Sequence, residues 1–372
     1  MRIPYLAPCI LLAAAATGCL GDPGDPAEVD DLDEDVVAVD EVDDVVVDEL
    51  AAPSQAAAIP HETDWMSGRY GVGFHYLQNW MSATKNGGPD EWNAAVRSFD
   101  VRRFARDVAA TGARWVIFTV GQNSGYYCAP NSVLDHYSGY RPGERNSTRD
   151  LPKAMADALA AKGIKLILYL PSNAPKLDER IARGFGLTRK ASDGNWFVDR
   201  AFVAKWSRVI EEWSRRYGTK VAGWWFDGFY GSRDGFVGGD ARTYAEAARA
   251  GNPDAVVAFN PGANRLRQVA PVQDYTAGEA GDLRLRCAAR LVRSAQCAIF
   301  VPVGSWGGGT IRYTGDEIVD YTNRQLGVGG AMTWNLGVSV DGKLNADKRE
   351  LFEQIRGRVH QHPPAGVTQP PW

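Results

Sequence analysis

The chain has 372 residues, of which 45% are apolar and 10% aromatic, so it can bury one large core or two modest ones. Its basic residues are scattered and accompany no RNP-like or helix-turn-helix pattern, which argues against a nucleic-acid partner. The five cysteines show no CxxC spacing and only five histidines occur, which argues against a structural zinc site.

The first twenty residues, MRIPYLAPCILLAAAATGCL, contain one Arg, a short apolar run and then small residues. This pattern predicts a secretory signal over 1–18 rather than a membrane span, because the apolar run is short for a bilayer. The end of the segment, AATGC, resembles a bacterial lipobox, which implies cleavage before Cys19 and lipidation of its thiol. We therefore expect an outer-membrane lipoprotein that meets the membrane only through its lipid, with plain secretion as the alternative.

A strongly acidic stretch follows the signal. Residues 22–49 hold 14 Asp or Glu and no Lys or Arg, so like charges repel and little apolar surface is available to bury. We expect a disordered tether over 19–60, one folded domain over 61–360, and a Pro-rich tail over 361–372. Without the tether and signal, residues 50–372 carry 40 bases and 31 acids, an excess of nine positive charges. A basic domain suggests anionic surroundings or screening within the molecule.

Three cysteines fall within the predicted domain: Cys128, Cys287 and Cys297. An exported protein meets oxidising conditions, so Cys287 and Cys297 could close a short disulfide loop. Cys128 is then left over.

From about residue 65 the chain alternates short apolar runs with amphipathic segments. Most of the runs are continuous rather than alternating, as expected for parallel strands that are buried on both faces. The eight runs are 70–77, 114–120, 164–171, 221–227, 254–260, 271–278, 298–304 and 330–336. Helical patterns with capping residues separate most of them, and the stretch 261–270 leaves room for only a short helix. Eight such units predict an α/β fold of the (β/α)8 TIM-barrel type. The main rival, a doubly wound open sheet, would normally carry a Gly-rich phosphate loop after the first strand, and GFHYLQNW is not one.

The residues that follow the strands of a barrel share one mouth. In this chain the residues at the strand ends are mostly polar or aromatic. Such residues suit a sugar, whose hydroxyls need hydrogen-bond partners and whose C–H face stacks on indole rings. Trp224 and Trp225 point to opposite sides of their strand, so at most one of them faces the interior. The set comprises His75, Gln122, Asn123, Tyr169, Ser172, Asn173, Asp227, Asn260, Glu279, Trp306, Trp334 and Asn335.

Two carboxylates stand out in that set, Asp227 after the fourth run and Glu279 after the sixth. Glycoside hydrolysis needs such a pair: one attacks or activates water, and the other donates a proton. A separation of about 5–5.5 Å would predict retention of configuration, and a wider gap inversion. The structural alternatives are that Asp227 is a turn residue before Gly228, and that Asp274 or Asp282 takes the place of Glu279.

Five segments in chain order resemble glycoside hydrolase family 29, the α-L-fucosidases. They are GRYGVGFHYLQNW, FDVRRFARDVAATGARWVIFTV, LPKAMADALAAKGIKLILYLPS, GWWFDG and TGDEIVDYTNRQLGVGGAMTWNLGVSVDGKL. The resemblance implies that His75 binds sugar, that Tyr169 matches a family tyrosine, and that Asp227 is the nucleophile. Glu279 is expected as the general acid/base from strand order and chemistry.

The chain also departs from that family. Where members have KHHDGF, this chain reads VGQNSGYY, so Gln122 and Asn123 replace two sugar-contacting histidines and cannot titrate near neutral pH. The C-terminal β-sandwich of the family has no counterpart, so we expect a single, divergent catalytic domain.

We therefore expect an exported, retaining, α-L-fucosidase-like glycosidase that acts on an oligo- or polysaccharide and needs no cofactor or metal. Its sugar site is predicted at His75, Gln122, Asn123, Tyr169, Trp225 and Trp306. One alternative is an endo-acting hydrolase of acidic or sulfated glycans, favoured by the excess positive charge. Another is a surface carbohydrate-binding protein that kept the barrel and lost the chemistry.

Overall fold

The computed structural model describes residues 63–361, apart from 82, 174, 176 and 190–195. The predictions of a signal over 1–18, a lipidated Cys19, a tether over 19–60 and a tail beyond 361 lie outside the described residues. No described helix is both long and apolar enough to cross a membrane.

Parallel strands form the largest sheet of the described part of the chain. Seven of the eight predicted runs are strands in it, each slightly shorter than its run: β1 (Tyr70–Phe74), β2 (Trp115–Thr119), β3 (Lys165–Pro171), β4 (Gly223–Asp227), β5 (Val256–Phe259), β6 (Ala298–Pro302) and β7 (Ala331–Leu336). The spatial order is β6-β7-β1-β2-β3-β4-β5, and every neighbouring pair is parallel. This is the neighbour order of a barrel, with β5 and β6 at the two edges.

Helices alternate with these strands and cover the outer face of the sheet. In the described residues they are α1 (Pro89–Ser98), α2 (Val101–Thr111), α3 (Ser132–Ser138), α4 (Leu151–Ala160), α5 (Glu179–Phe185), α6 (Arg200–Tyr217), α7 (Asp240–Arg249), α8 (Gly315–Gly327) and α9 (Ala346–Ile355). Asp150 caps the amino end of α4, because its carboxylate accepts a hydrogen bond from the Lys153 N–H at 3.1 Å.

The two faces of the sheet bury separate clusters. Trp225 belongs to the inner cluster with Trp115 and Tyr169, whereas Trp224 packs in the outer cluster beneath the helices. The alternation of side chains along β4 therefore sends one indole to each face, as predicted. Two glycines of β1 leave space for inner rings: a Cβ on Gly71 would meet the Trp115 ring at 2.3 Å, and one on Gly73 would meet Phe300 at 2.4 Å.

The prediction of a sixth strand over 271–278 is wrong, because this segment forms no regular strand. The segment runs between β5 and β6 and forms only isolated parallel bridges, Tyr275 with Gln296 and Glu279 with Phe300. Side chains replace part of the ladder here: the Thr276 hydroxyl accepts from Ala298 N–H and donates to Ala298 C=O. Polar side chains of this kind compete with backbone pairing, which an apolar-run pattern does not register.

The same segment also touches the opposite edge of the sheet. The Asp274 N–H donates to the Val257 carbonyl at 2.9 Å, and its carboxylate accepts from the Val257 N–H at 2.7 Å. One short segment thus contacts both edge strands, so the sheet is curled. The structure is an α/β fold with a curled parallel sheet of the TIM-barrel kind, and the predicted closure by eight regular strands is absent among the described residues.

The short helix expected within 261–270 is also wrong. That stretch has no helix, and Asn264 within it adopts a left-handed backbone conformation with φ of 59°. Its N–H donates to the Glu279 carbonyl at 2.7 Å instead of to a helical partner. The backbone of this connection is therefore used to hold the segment that carries Glu279.

Cys287 and Cys297, the pair considered from the sequence, are joined by a disulfide. Between them, Leu291–Val292 and Ala295–Gln296 form a short antiparallel ribbon. Cys128 has a free thiol and is fully buried, and its Sγ lies 3.6 Å from the Thr119 carbonyl.

Candidate active site

Asp227 is the last residue of β4 and lies half-buried at the carboxyl end of the sheet. Its Oδ1 accepts hydrogen bonds from the Gly228 N–H at 2.9 Å and from Asn260 Nδ2 at 2.8 Å. Its Oδ2 accepts a hydrogen bond from the Tyr169 hydroxyl. Three donors therefore stabilise the negative charge, and a carboxylate with about four acceptor positions keeps one of them for a substrate.

Asn260 follows β5 and is fully buried between the two carboxylates. Besides Asp227 it contacts Glu279, whose Oε2 accepts a second hydrogen bond from the same Nδ2. The Asn260 carbonyl oxygen of the side chain accepts from the Gly262 N–H at 3.1 Å, which fixes the orientation of the amide. One amide thus holds both acids in the same small volume.

Tyr169 lies on β3 beside Trp225, and their rings stack with centroids 5.0 Å apart. Its hydroxyl donates to Asp227 and accepts a hydrogen bond from Gln122 Nε2. Burial raises the pKa of the Tyr169 phenol well above its usual value, and the nearby Asp227 charge adds to this shift. Tyr169 is therefore a permanent hydrogen-bond donor to Asp227.

His75 follows β1 and is buried at the mouth of the sheet. Its Nδ1 lies 2.9 Å from the side-chain oxygen of Asn335, whose Nδ2 donates to the Trp306 carbonyl at 2.7 Å. Because the amide nitrogen of Asn335 is used on Trp306, its oxygen must accept from His75. The hydrogen is therefore on Nδ1, and Nε2 is left as an acceptor.

Burial lowers the pKa of His75 to about 4, against smaller opposing contributions from the Asn335 hydrogen bond and the Asp227 charge. The imidazole is therefore neutral at physiological pH. A neutral ring with a bare Nε2 can accept a hydrogen bond from a hydroxyl group.

Aromatic rings surround His75 on several sides. The Trp80 ring stacks on it with centroids 5.5 Å apart, and Trp306 and Tyr169 meet it edge-on, each at 5.3 Å. Phe300 of β6 lies behind them, 5.0 Å from Trp306 and 5.7 Å from Trp225. The site therefore has an aromatic wall next to its two acids, which is the composition that sugar recognition requires.

The structure brings together most of the residues expected from the sequence. Hydrogen bonds and ring contacts form one network in this site, which Glu279 joins through Asn260. Its members among the predicted residues are His75, Gln122, Tyr169, Trp225, Trp306, Asp227 and Glu279. Asn123 is adjacent to Gln122, and its backbone carbonyl accepts from the Leu177 N–H at 2.9 Å. The prediction that Trp334 lies at the mouth is wrong. Trp334 is buried in the outer cluster, where its Nε1 donates a hydrogen bond to the Thr322 hydroxyl.

Several residues of the site have no signal in the sequence that marks them as functional. Asn260 and Asn335 stood in the strand-end set but had no feature that separated them from turn residues. Trp80 and Tyr230 follow the strand ends by several residues, so neither helical nor strand periodicity marks them. The charge of Asp227, then burial, and then the charge of Glu279 raise the pKa of the Tyr230 phenol.

Metal ligands are not grouped in this site. Among the residues that the structure describes, no three His, Cys, Asp or Glu side chains are arranged to hold a metal ion. The chemistry that the described side chains can perform is proton transfer and nucleophilic attack by carboxylates, next to neutral hydrogen-bonding groups.

Comparison with known proteins adds a family and a fold. The family model for alpha-L-fucosidase matches residues 42–358. No curated protein matches the chain.

Three solved structures illustrate the likeness in fold. The endo-fucoidan hydrolase P5AFcnA of glycoside hydrolase family 107 is 16% identical, with a TM-score of 0.59 over 83% of this chain and 95% of that one. The endo-fucoidan hydrolase MfFcnA4 is 17% identical, with a TM-score of 0.57 over 78% of this chain. An alpha-L-fucosidase of family 29 from Bacteroides thetaiotaomicron is 16% identical, with a TM-score of 0.53 over 78% of this chain and 71% of that one. The chain spans 52% of the length of MfFcnA4.

Proposed function

The chain belongs to the alpha-L-fucosidase family, and from this membership we propose that it is a glycoside hydrolase that cleaves α-L-fucosidic bonds with retention of configuration. Asp227 is the nucleophile and Glu279 the general acid/base. The substrate is an oligo- or polysaccharide that carries fucose or a closely related sugar.

The bridging amide of Asn260 is the observation that carries this proposal. Asp227 Oδ1 lies 2.8 Å from its Nδ2, and Glu279 Oε2 is hydrogen-bonded to the same nitrogen. Two hydrogen bonds laid end to end span at most about 6 Å, and the two N–H bonds diverge, so the two oxygens lie closer than that. Carboxyl groups are about 5–5.5 Å apart in retaining glycosidases and about 6.5–9.5 Å apart in inverting ones. Two facing oxygens this close support the retaining arrangement over the inverting one, in which a water molecule fits between the carboxylate and the sugar.

In the first step Asp227 attacks the anomeric carbon and forms a glycosyl ester as the bond to the leaving oxygen breaks. Glu279 gives its proton to that oxygen. In the second step Glu279 takes a proton from water, which attacks the anomeric carbon and releases Asp227. Tyr169 stays protonated throughout and holds the attacking carboxylate in place through its hydroxyl group.

The aromatic wall and His75 position the sugar for this attack. His75 Nε2 accepts from a sugar hydroxyl, while Trp80 and Trp306 fix the imidazole by stacking and edge contacts. Gln122 replaces a histidine of the family pattern and donates to Tyr169, so it supports the nucleophile without titrating.

The proposal is tested by the anomer of the first product. An aryl α-L-fucoside hydrolysed by the full chain should release α-L-fucose first, as followed by proton NMR before mutarotation. Initial release of the β-anomer would contradict retention, and the lack of turnover on every fucoside and fucan of a broad panel would contradict the function itself.

A second candidate function is endo-cleavage of a sulfated fucan. The neighbours described as endo-fucoidan hydrolases and the excess of basic residues in the domain support it. So does the Arg233 guanidinium, which lies 5.5 Å from the Tyr230 ring beside the two acids. Cleavage of a sulfated fucan into oligosaccharides, without activity on an aryl fucoside, would favour it over the first candidate.

We also propose that the 274–280 segment completes the barrel between β5 and β6. Its contacts with Val257 on one side and Phe300 on the other support this closure. Export is proposed as well, with processing before Cys19 and lipidation of its thiol. The disulfide between Cys287 and Cys297 supports an oxidising compartment. Mass spectrometry of the amino terminus of the membrane-bound protein tests the processing.

A further inference from the structure

A cleft of about 240 Å³ lies at the end of the sheet opposite to the carboxylates. It is lined by Arg114, which directly precedes β2, and by Lys162 and Gly163, which precede β3. Arg356, at the end of α9, forms another side. Three basic side chains from three separate parts of the chain therefore converge at the amino ends of the strands.

The walls between these bases are small. Gly112, Ala113, Gly163 and Gly357 contribute little side-chain volume, so the space between the bases stays open. The amide of Gln361 is held at the edge, because its Nε2 donates to the Gly112 carbonyl at 2.9 Å and its oxygen accepts from the Tyr70 N–H at 3.2 Å. The cleft is thus formed by fixed backbone.

These bases have no acidic partner in the described part of the chain. Within the described residues, neither Arg114, Lys162 nor Arg356 makes an ion pair with a carboxylate; Arg356 donates to the Ala110 carbonyl at 3.2 Å. By contrast, the nearby Arg358 is paired with Asp316. As far as the described residues show, the cleft therefore concentrates positive charge without a paired acid.

The charge of Arg114 also reaches a base outside the cleft lining. Arg69, which precedes β1, has its pKa lowered first by burial and then by the charge of Arg114. Burial raises the pKa of the Tyr70 phenol, which lies behind the cleft, and the charges of Arg114 and Arg356 partly offset that rise.

We propose that this cleft is a binding site for a tetrahedral oxyanion, a sulfate or phosphate group, separate from the sugar site. Guanidinium groups match such groups with paired N–H donors. Several cations around one opening suit an anion with three or four oxygens better than a carboxylate, whose two oxygens one guanidinium already satisfies. The oxyanion is either a free ion or an ester on a carbohydrate.

The site is independent of the proposed catalysis. Asp227 and Glu279 lie at the carboxyl ends of the strands, whereas Arg114 and Lys162 lie at the amino ends. A sulfated glycan bound here would be held by the opposite end of the domain from the one that cleaves it.

Arginine labelling measures occupancy without any substitution. The full chain is treated with phenylglyoxal in sodium chloride or in sodium sulfate of equal ionic strength, and modified residues are quantified by mass spectrometry. We expect sulfate to slow the modification of Arg114 and Arg356 at least threefold, and to leave Arg102, exposed on α2, unchanged. Equal protection of all three, or no protection, overturns the proposal.

A monosaccharide sulfate ester at the same concentration distinguishes the sources. Stronger protection by the ester identifies a carbohydrate ligand, and equal protection identifies a site that reads the oxyanion alone.

Matched double variants give a second test. Arg114→Gln/Arg356→Gln should abolish the saturable heat of sulfate binding in calorimetry, whereas Arg102→Gln/Arg106→Gln loses the same charge elsewhere on the surface and should retain it. Unchanged binding in the first variant overturns the proposal. The labelling of the unsubstituted chain decides the question if that variant fails to fold.

Discussion

Asp227 and Glu279 accept hydrogen bonds from the same nitrogen, Nδ2 of Asn260. The two acids come from unlike pieces of backbone, one from the end of a strand and one from an irregular segment. Their spacing is therefore set by a neutral side chain that belongs to neither. The geometry and the chemistry of the pair both depend on that amide.

Replacing Asp227, the proposed nucleophile, should stop turnover and leave the fold intact. Asp227→Asn keeps the size of the side chain and removes the nucleophilic oxygen charge, so we expect kcat to fall by about 10³-fold or more. With Asp227→Gly, added azide should restore turnover and yield a β-L-fucosyl azide. Asp282→Asn, which removes an acid paired with Arg284, is the matched control and should keep full activity. A fully active Asp227→Asn variant would exclude the proposed role.

Asn260→Asp tests the bridge. The substitution preserves shape but adds a third carboxylate, and an added negative charge raises the pKa of neighbouring carboxyl groups. Both limbs of the bell-shaped profile of kcat/KM against pH should move to higher pH, and the maximum should fall by about 10²-fold. Asn252→Asp, a buried asparagine whose amide contacts Val221, controls for the general effect of a buried charge. A profile unchanged in position would show that Asn260 does not couple the acids.

The Tyr169 hydroxyl should contribute to catalysis rather than to packing. Tyr169→Phe retains the stack on Trp225 and removes a hydrogen bond to a charged group, worth about 1.5–3 kcal/mol. We expect kcat/KM to fall about 10- to 100-fold. Tyr275→Phe is the control, since it removes a hydroxyl that donates to the Trp224 carbonyl in the same interior without touching a carboxylate. Equal losses in both variants would assign Tyr169 a structural role only.

Much of this site could be predicted from the sequence, because continuous apolar runs mark parallel strands and place Asp227 at a shared mouth. The irregular backbone of the sixth unit could not be predicted, because Asp274 and Thr276 satisfy backbone groups with their side chains and leave no periodic signal. The role of Asn260 was hidden for another reason. Its two contacts join residues 33 and 19 positions away along the chain, and spacing in the sequence does not reveal such meetings.

His75 should make stability depend on pH. Its pKa is about 4 in the folded chain and 6.5 in the unfolded chain, so the unfolded chain binds the proton first as pH falls. The contribution of the neutral ring is complete above pH 6.5 and is lost towards pH 4, a loss of about 3 kcal/mol. His75→Gln has no such group, so the difference in unfolding free energy between the two proteins should change by that amount between pH 7 and pH 4. A constant difference over this range would contradict the assignment.

Lys348 should affect substrate binding from a distance. It is buried on α9, and its ammonium group donates to the Gly309 carbonyl at 2.6 Å, beneath the glycine-rich turn that carries Trp306. Lys348→Met keeps the length of the side chain and releases the turn, so we expect KM to rise about fivefold with little change in kcat. Lys343→Met, at an exposed position nearby, should leave both constants unchanged. A fall in kcat with an unchanged KM would contradict a role in holding Trp306.

The irregular backbone around Glu279 gives the two acids unequal mechanical support. Asp227 is anchored in a strand with neighbours on both sides, whereas the Glu279 segment meets the sheet through isolated bridges and scattered backbone and side-chain hydrogen bonds. Such a seam can open locally while the rest of the sheet stays closed. Heating would then separate Glu279 from Asp227 before the domain melts. We expect this seam, and not the stability of the core, to limit the working temperature of the protein.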